Sequence, residues 1–321
     1  MDTEETVAAG PRRQPVVPQG RRLELPGRGT TFIREVPGPS GAPTVLLLHG
    51  LMATGGLNWL QAFESLSQHF RVVAVDHRGH GRGIRSWRRF RLADCADDAA
   101  AVLEVLGIDE AIAVGYSMGG PIASLLWRRH PDRVAGLVLC ATAPRFRTGG
   151  RERAAMVTAG STLAGALRAT EVLVRIPLSP VASRIPFRVR YRPRSLAGWA
   201  AAELRRSDRR HTLEAVASLG AFDARPWLAE IDVPTTVMVT TEDRTVRPEE
   251  QHALLAIPGV EVREVAANHL FASSPAFGPF LTDLCLGVAA RAAADAPRGR
   301  IRRLARAARR VVPRSRRTTT I

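Results

Sequence analysis

The stretches V-L-L-L-H-G (Val45–Gly50) and A-V-G-Y-S-M-G-G (Ala113–Gly120) decide the fold of this chain. Each begins with a short apolar run typical of a buried β-strand, and the second leads directly into a run with helical spacing, Met118–His130. Ser117 therefore lies in a G-x-S-x-G motif at a strand-to-helix turn, the setting that exposes a nucleophilic serine. We predict that Ser117 is a nucleophile.

A nucleophilic serine needs a base, and the base needs an acid to orient it. Asp243 follows the apolar run Thr235–Thr240, and His269 follows the run Val260–Val265, so each lies just past a predicted strand. Loops at the carboxyl ends of parallel strands converge on one crevice, where residues distant in sequence can meet. We therefore predict a Ser-His-Asp triad of Ser117, His269 and Asp243.

Other side chains compete for the roles of acid and base. Glu242 is the alternative acid, and we favour Asp243 because its shorter side chain suits an acid held against a histidine on a neighbouring loop. His49 precedes Gly50 and is expected to hold the loop there. Two further histidines, His77 and His80, lie in the turn D-H-R-G-H-G. Four others occur in helix-like or lid segments and are interpreted as surface or structural residues: His69, His130, His211 and His252.

Short apolar runs alternate with helical stretches along the chain, as in a doubly wound parallel α/β sheet. The clearest predicted helices are Ala93–Leu106, Met118–His130 and Glu249–Ala256. The predicted parallel strands are Val45–Leu48, Val72–Val75, Ala111–Val114, Val134–Leu139, Thr235–Thr240 and Val260–Val265. Two earlier runs, Leu23–Leu25 and Thr31–Val36, are expected to form an antiparallel lead-in.

The motifs H-G-L, D-H-R-G-H-G, G-Y-S-M-G-G and N-H-L resemble those of the α/β-hydrolase family, as does the Asp243 loop. The resemblance covers residues 21–145 and 224–290. It implies a mostly parallel eight-stranded sheet with helices on both faces and a helical lid inserted after the sixth strand. We expect a disordered segment at residues 1–20 and a core formed by residues 21–145 and 224–290. A lid at residues 146–223 should lie between the two parts of the core, and a basic tail should follow at residues 291–321.

The resemblance also implies the chemistry. The backbone amides of Leu51 and Met118 are expected to form an oxyanion hole. Relatives that open epoxides or remove halides carry aspartate at the nucleophile position, and Ser117 argues against both reactions. We therefore expect a serine hydrolase that cleaves carboxylic esters, with no cofactor and no metal. Acyl transfer, perhydrolysis, hydrolysis of an activated C–C bond and a non-catalytic ligand sensor remain as alternatives.

The predicted lid should set specificity for a small ester or lipid-like substrate. Its stretch 175–191 has three prolines and apolar residues between arginines, which suits a flap over an apolar cleft. Four of its side chains are candidates for an acyl pocket or equally for the lid's own core: Ile176, Leu178, Ile185 and Phe187. Met52, Trp59 and Trp199 are further candidate pocket walls.

Charge is concentrated in two segments. The chain contains 46 basic residues, all of them arginine, and has a net charge of +16. The tail 291–321 has a net charge of +10 and the predicted lid +8, so the rest of the chain is left at −2. In the tail, Ile301, Leu304, Ala308 and Val311 recur at helical spacing between arginines. This pattern is typical of a basic amphipathic helix.

The tail has three interpretations: a solvated appendage, a peripheral contact with an anionic membrane, or a nucleic-acid contact. The last is disfavoured because the tail has no aromatic residue for base stacking. The acidic, proline-containing N-terminus does not resemble a signal peptide, so we expect a cytoplasmic protein. Three isolated cysteines, Cys95, Cys140 and Cys285, are interpreted as buried and reduced. The sequence does not indicate an oligomeric state.

Overall fold

The computed structural model describes residues 16–146, 149–175 and 195–295. These residues form one eight-stranded sheet. Its strands are β1 (Gly20–Leu25), β2 (Gly29–Val36), β3 (Thr44–Leu48), β4 (Arg71–Val75), β5 (Ala111–Tyr116), β6 (Val134–Cys140), β7 (Thr235–Thr240) and β8 (Glu261–Val265). Their order across the sheet is β1-β2-β4-β3-β5-β6-β7-β8. The predicted eight-stranded α/β sheet is confirmed, and each predicted strand is present within a few residues of its expected bounds.

The sheet is parallel from β4 to β8, while β2 runs antiparallel to both of its neighbours. Every residue of β3, β5 and β7 is buried. Strands covered on both faces need apolar side chains on both, which explains their continuous apolar runs. The outer strand β8 is half-exposed and includes three charged residues.

Helices cover both faces of the sheet. They are α1 (Gly55–Asn58), α2 (Phe63–Ser67), α3 (Leu92–Val105), α4 (Gly119–Arg129), α5 (Gly150–Arg175), α6 (Leu196–Leu204), α7 (Arg209–Ala221), α8 (Pro248–His252) and α9 (Phe277–Ala294). The buried side chains of α3 and α4 pack in one apolar cluster, and those of α2 and α9 pack in a second. The sheet separates the two clusters, and both contribute to the core.

Two helical segments differ from expectation. The predicted helix 249–256 is α-helical only to His252 and continues as a 3-10 turn over Ala253–Ala256. Sequence analysis assigned no helix to α9, whose apolar residues are not confined to one stripe. Helix α9 is nevertheless well formed and places Leu281, Cys285 and Val288 in the core.

Helices α5, α6 and α7 are inserted between β6 and β7, within the segment predicted as a lid, and α5 packs along α7. Four candidate pocket residues, Ile176, Leu178, Ile185 and Phe187, lie outside the described residues. Residues 1–15 and 296–321 also lie outside them, so the predicted N-terminal segment is described only from Val16 and the basic tail only to Asp295.

Within the described ranges, α9 is one helix whose length and apolar composition would allow it to cross a membrane. Its buried fraction is 39%, and it contacts β6 and β7. The buried side chains of α9 pack in the second apolar cluster.

Candidate active site

Ser117 lies between β5 and α4 with a backbone φ of 52°. This left-handed conformation is uncommon for a residue with a side chain and marks a sharply turned strand-to-helix junction. Two neighbouring glycines allow the close approach of the two elements, because a Cβ on Gly115 would overlap the Gly119 carbonyl and one on Gly119 would overlap the Leu48 carbonyl. The G-x-S-x-G spacing therefore has a steric cause here.

Strand register brings the H-G motif beside this turn. Leu48 of β3 pairs with Gly115 of β5, so the residues that follow the two strands leave the sheet side by side. A Cβ placed on Gly50 would lie 3.4 Å from the Cβ of Ser117. The amides of Leu51 and Met118 donate no hydrogen bond within the described residues. Both are therefore available to an oxygen atom bound near Ser117.

The structure brings Ser117, His269 and Asp243 into one hydrogen-bonded chain. The Nε2 of His269 lies 3.0 Å from Ser117 Oγ, and its Nδ1 lies 2.6 Å from Asp243 Oδ2. An ionised carboxylate only accepts hydrogen bonds, so Nδ1 has the proton and Nε2 accepts from the serine hydroxyl. The residues follow β5, β8 and β7, as expected from the convergence of parallel strand ends.

Asp243 is 3% exposed and held by several donors. Its Oδ1 accepts from the amides of Thr245 and Val246 at 2.7 and 3.0 Å, and its Oδ2 also accepts from the Thr240 hydroxyl at 2.9 Å. Burial by itself would raise the pKa of Asp243, but the hydrogen bonds from His269, Val246 and Thr240 outweigh it and lower that pKa. The alternative acid, Glu242, is exposed.

His49 connects the H-G loop to the loop after β4. Its Nε2 accepts from the His77 amide at 3.0 Å, and its Nδ1 lies 2.7 Å from the Gly50 carbonyl oxygen. Burial lowers the pKa of His49 to about 4, so the ring is neutral at pH 7 with its proton on Nδ1. The loop-holding role expected for His49 agrees with these contacts.

Sequence analysis missed two side chains that position the site. The Oδ1 of Asn58 accepts from the Gly50 amide at 3.0 Å, which holds the loop ahead of Leu51. The hydroxyl of Tyr116 donates to the His269 carbonyl oxygen at 3.0 Å, which holds the histidine loop against the turn that contains Ser117. The only sequence signal for Tyr116 is its place next to Ser117, and Asn58 has none.

A cavity of about 500 Å³ opens beside Ser117 and His269. Core residues of its wall include Leu51, Leu57, Tyr116 and Val246, and the inserted helices and the residues before them contribute Phe146, Met156, Leu204 and Leu219. Asn58, Thr245, Glu250 and Ser273 add a few polar groups. A mostly apolar cavity with few polar groups is typical of a small-molecule site.

Three of the candidate pocket walls require correction. Trp59 is fully buried, stacks on Phe277 at 6.0 Å between ring centroids and lies edge-on to Tyr116, so it belongs to the core behind the cavity. Met52 is 49% exposed and does not line the described cavity. Trp199, on α6, is partly buried and also does not line the described cavity. The residue of α6 that lines this cavity is Leu204.

The three cysteines and any cluster of possible metal ligands are other candidate sites of chemistry in the described part of the chain. Cys95, Cys140 and Cys285 are buried without a disulfide, and burial raises the pKa of each thiol. Among the described residues, no group of three or more His, Cys, Asp or Glu side chains is arranged to hold a metal ion.

Comparison with known proteins agrees with this architecture. A family model of the alpha/beta hydrolase fold matches residues 43–273, well over half of the chain. The protein therefore belongs to the α/β-hydrolase family of enzymes.

Three known proteins illustrate the relationship. A bifunctional esterase/perhydrolase of Acinetobacter calcoaceticus is 40% identical over 109 residues, 33% of this chain and 39% of that protein. A Caulobacter vibrioides protein provisionally named carbamate hydrolase RutD is 39% identical over 103 residues, 32% of this chain and 38% of that one. The matched stretch thus spans about two fifths of each relative. The crystal structure of an enol-lactonase from Burkholderia xenovorans superposes with a TM-score of 0.61 at 25% identity, over 82% of this chain and 99% of that one.

Proposed function

We propose that this protein is a serine hydrolase that cleaves carboxylic esters with medium-sized apolar acyl groups. The hydrogen-bonded chain from Ser117 through His269 to Asp243, with distances of 3.0 and 2.6 Å, carries the proposal. This arrangement is what acyl transfer through a serine requires: a nucleophile, a base within reach of its proton, and an acid that fixes the base. Two relatives, one named an esterase/perhydrolase and one named a carbamate hydrolase, support the reaction class.

The proposed reaction has two halves. His269 Nε2 takes the Ser117 proton as Oγ attacks the ester carbonyl, and then delivers it to the leaving alkoxide as the tetrahedral intermediate collapses. Water attacks the resulting acyl-enzyme in the same way and releases the acid. Asp243 stabilises the imidazolium formed in each half, and its lowered pKa keeps it ionised for that role. The amides of Leu51 and Met118 stabilise the oxyanion.

The apolar wall of the cavity favours a substrate with an apolar acyl group. Leu57, Met156, Leu204 and Leu219 present hydrocarbon to the space beside Ser117. Burying a methylene group there contributes about 0.8 kcal/mol, so each carbon added to the acyl chain should tighten binding until the cavity is filled. Esters with small acyl groups should also react, but they should bind more weakly.

Labelling with a fluorophosphonate probe, together with turnover of a series of p-nitrophenyl esters, tests the proposal. Ser117→Ala should abolish labelling and lower turnover by about a thousandfold or more, because it removes the hydroxyl that lies 3.0 Å from His269 Nε2. Ser273→Ala is the matched control, since Ser273 lines the same cavity away from the hydrogen-bonded chain, and it should keep both signals. Labelling that persists in Ser117→Ala would show that another residue is the nucleophile.

A second candidate function is transfer of the acyl group to peroxide rather than water. The name of the Acinetobacter relative, esterase/perhydrolase, favours it. The same acyl-enzyme serves both reactions, so they differ only in the acceptor. Peracid formation in the presence of hydrogen peroxide, measured as a fraction of total acyl release, separates them. Labelling without any turnover would instead favour a ligand sensor.

A further inference from the structure

An apolar groove of about 450 Å³ lies at the end of the sheet opposite Ser117. It is formed where β5 and β6 begin, by the loop ahead of β7 and by the last turns of α9. Ser117 follows the other end of β5, so the two sites are separated by the length of the sheet. The apolar part of the groove is formed by Ile112, Val134, Val233, Ala289, Ala292 and Ala293.

The rim of this groove is acidic. Glu110, Asp232 and Asp295 line it, and its described lining residues include no basic side chain. Asp232 also accepts a hydrogen bond from the Trp127 indole at 3.2 Å, which fixes its position on the rim. Three carboxylates around an apolar groove are conspicuous in a chain with a net charge of +16. They favour a basic, partly apolar occupant.

The chain itself supplies such an occupant directly at the rim. Asp295 is the last described residue, and residues 296–321 follow it with ten arginines and no acidic residue. Ile301 and Leu304 lie among those arginines, and an extended chain from Asp295 to Ile301 spans up to about 20 Å. A segment tethered this closely has an effective concentration in about the millimolar range, so even weak contacts would keep it bound.

We propose that residues 296–321 bind back into this groove, with apolar side chains on its floor and arginines against Glu110, Asp232 and Asp295. An anionic membrane is a poorer partner at this point, because the same three carboxylates repel anionic head groups where the segment leaves the fold. The segment docks at the end of the molecule opposite the candidate active site, so docking leaves access to Ser117 unchanged.

Trypsin cleavage of the intact 321-residue chain tests the proposal, because each tail arginine is a cleavage site and docking protects it. Cleavage that follows a fast opening equilibrium reports the undocked fraction. Ala293→Trp fills the groove without changing charge, and the rate of C-terminal fragment release, followed by mass spectrometry at low salt, should rise about fivefold or more. Ala294→Trp is the matched control, since this exposed neighbour on α9 does not line the groove, and its rate should stay within about twofold of the parent.

Two variants that each remove one carboxylate charge provide an independent test. Glu110→Gln removes a rim carboxylate and should also speed release, whereas Asp109→Asn changes an exposed carboxylate outside the groove and should not. High salt should raise the parent rate toward that of Glu110→Gln, because screening weakens the rim contacts. Far-UV circular dichroism and the thermal unfolding midpoint, measured in parallel, should be the same in all four variants and confirm that each is folded.

Two outcomes would overturn the proposal. If Ala293→Trp and Glu110→Gln release fragments at the parent rate at low salt, the segment does not occupy the groove. If those variants behave like the parent while anionic vesicles slow cleavage and neutral vesicles do not, the segment binds a membrane instead. Neither outcome depends on whether the protein hydrolyses esters.

Discussion

At the scale of single residues, the backbone at Ser117 holds the hydroxyl in place before any substrate arrives. Its φ of 52° turns the side chain out of the sheet, and the Ser117 carbonyl accepts from the Thr142 hydroxyl at 2.7 Å. Strain of this kind costs about 1–3 kcal/mol and persists only where neighbouring contacts enforce it. Here close packing at Gly115 and Gly119 does so, and the hydroxyl stays within reach of His269.

The two neighbouring acids allow a matched test of the orienting role. Asp243→Asn preserves the shape of the side chain but removes the charge that we propose stabilises the imidazolium, so turnover of a p-nitrophenyl ester should fall about a thousandfold or more. Glu242→Gln changes an exposed carboxylate and should leave turnover within about twofold. Steady-state kinetics of both variants decide the matter, and the reverse order would assign the role to Glu242.

At the scale of elements, an ion pair fastens the inserted helices to the core. Glu203 of α6 is 1% exposed and receives two hydrogen bonds from Arg82, at 2.8 and 2.9 Å, and one from the Thr54 hydroxyl at 3.1 Å. Burial by itself raises the pKa of Glu203, but the Arg82 hydrogen bonds and charge lower it overall. The next residue, Leu204, lines the cavity, so this anchor sets the position of one cavity wall.

Weakening the anchor should alter substrate selection more than chemistry. Glu203→Gln removes the charge that holds Arg82, and we expect KM for a p-nitrophenyl octanoate to rise about tenfold while kcat for the acetate stays within about twofold. Steady-state kinetics on both esters measure the difference. We expect long acyl groups to depend on Leu204, which lines the cavity, for burial, and an acetyl group to be too short to contact it.

An exposed ion pair serves as the control. Glu230→Gln breaks a surface contact with Arg128, in which both side chains are at least 39% exposed, and should change neither ester. An equal loss on acetate and octanoate in Glu203→Gln would indicate that Glu203 acts on the H-G loop through Thr54, rather than through the cavity wall.

At the scale of the whole molecule, buried histidines couple folding to pH. His49, His77 and His80 are all at most 3% exposed and form a cluster in which the His49 ring lies 4.3 and 5.5 Å from the other two. Burial lowers the pKa of all three, to about 4 for His49 and about 3 for His80, and the neighbouring imidazoles lower the pKa of His77 and His80 further. The native state therefore requires these rings to be neutral.

Acid should destabilise the fold in a defined range. An unfolded histidine titrates near pH 6.5, so the unfolded chain binds more protons than the native one between that pH and the folded pKa values. The free energy of unfolding should fall as pH drops from about 6.5 toward 4, by at most about 3 kcal/mol for each group. Denaturant unfolding across this range measures the slope.

A substitution isolates one titrating group. His80→Phe keeps an aromatic ring beside Phe90 and should make the slope shallower by about one proton. Leu103→Ala, in the core and unable to titrate, should lower stability by about 2–5 kcal/mol at every pH without changing the slope. Asp76 acts in the opposite direction, because burial raises its pKa, so the difference between variants is the decisive quantity. An unchanged slope in His80→Phe would refute the role of His80.

Local sequence signals were sufficient to predict the set of strands and the residues that meet beside Ser117. Continuous apolar runs identified β3 and β5, because both faces of a central parallel strand are covered. The glycines around Ser117 identified the turn. The assembly of Ser117, Asp243 and His269 followed from one topological property, the convergence of parallel strand ends, and required no knowledge of side-chain packing.

Tertiary structure alone decided the rest. Glu203 and Arg82 are 121 positions apart, and nothing near either residue in the sequence indicates the other. Trp59 and Asn58 are adjacent, yet one packs in the core and the other holds Gly50, because neighbouring residues at the end of α1 face in different directions. Periodicity and turn formation depend on residues that are close together in the sequence. The cavity wall depends instead on how the inserted helices pack against a sheet formed by distant parts of the chain.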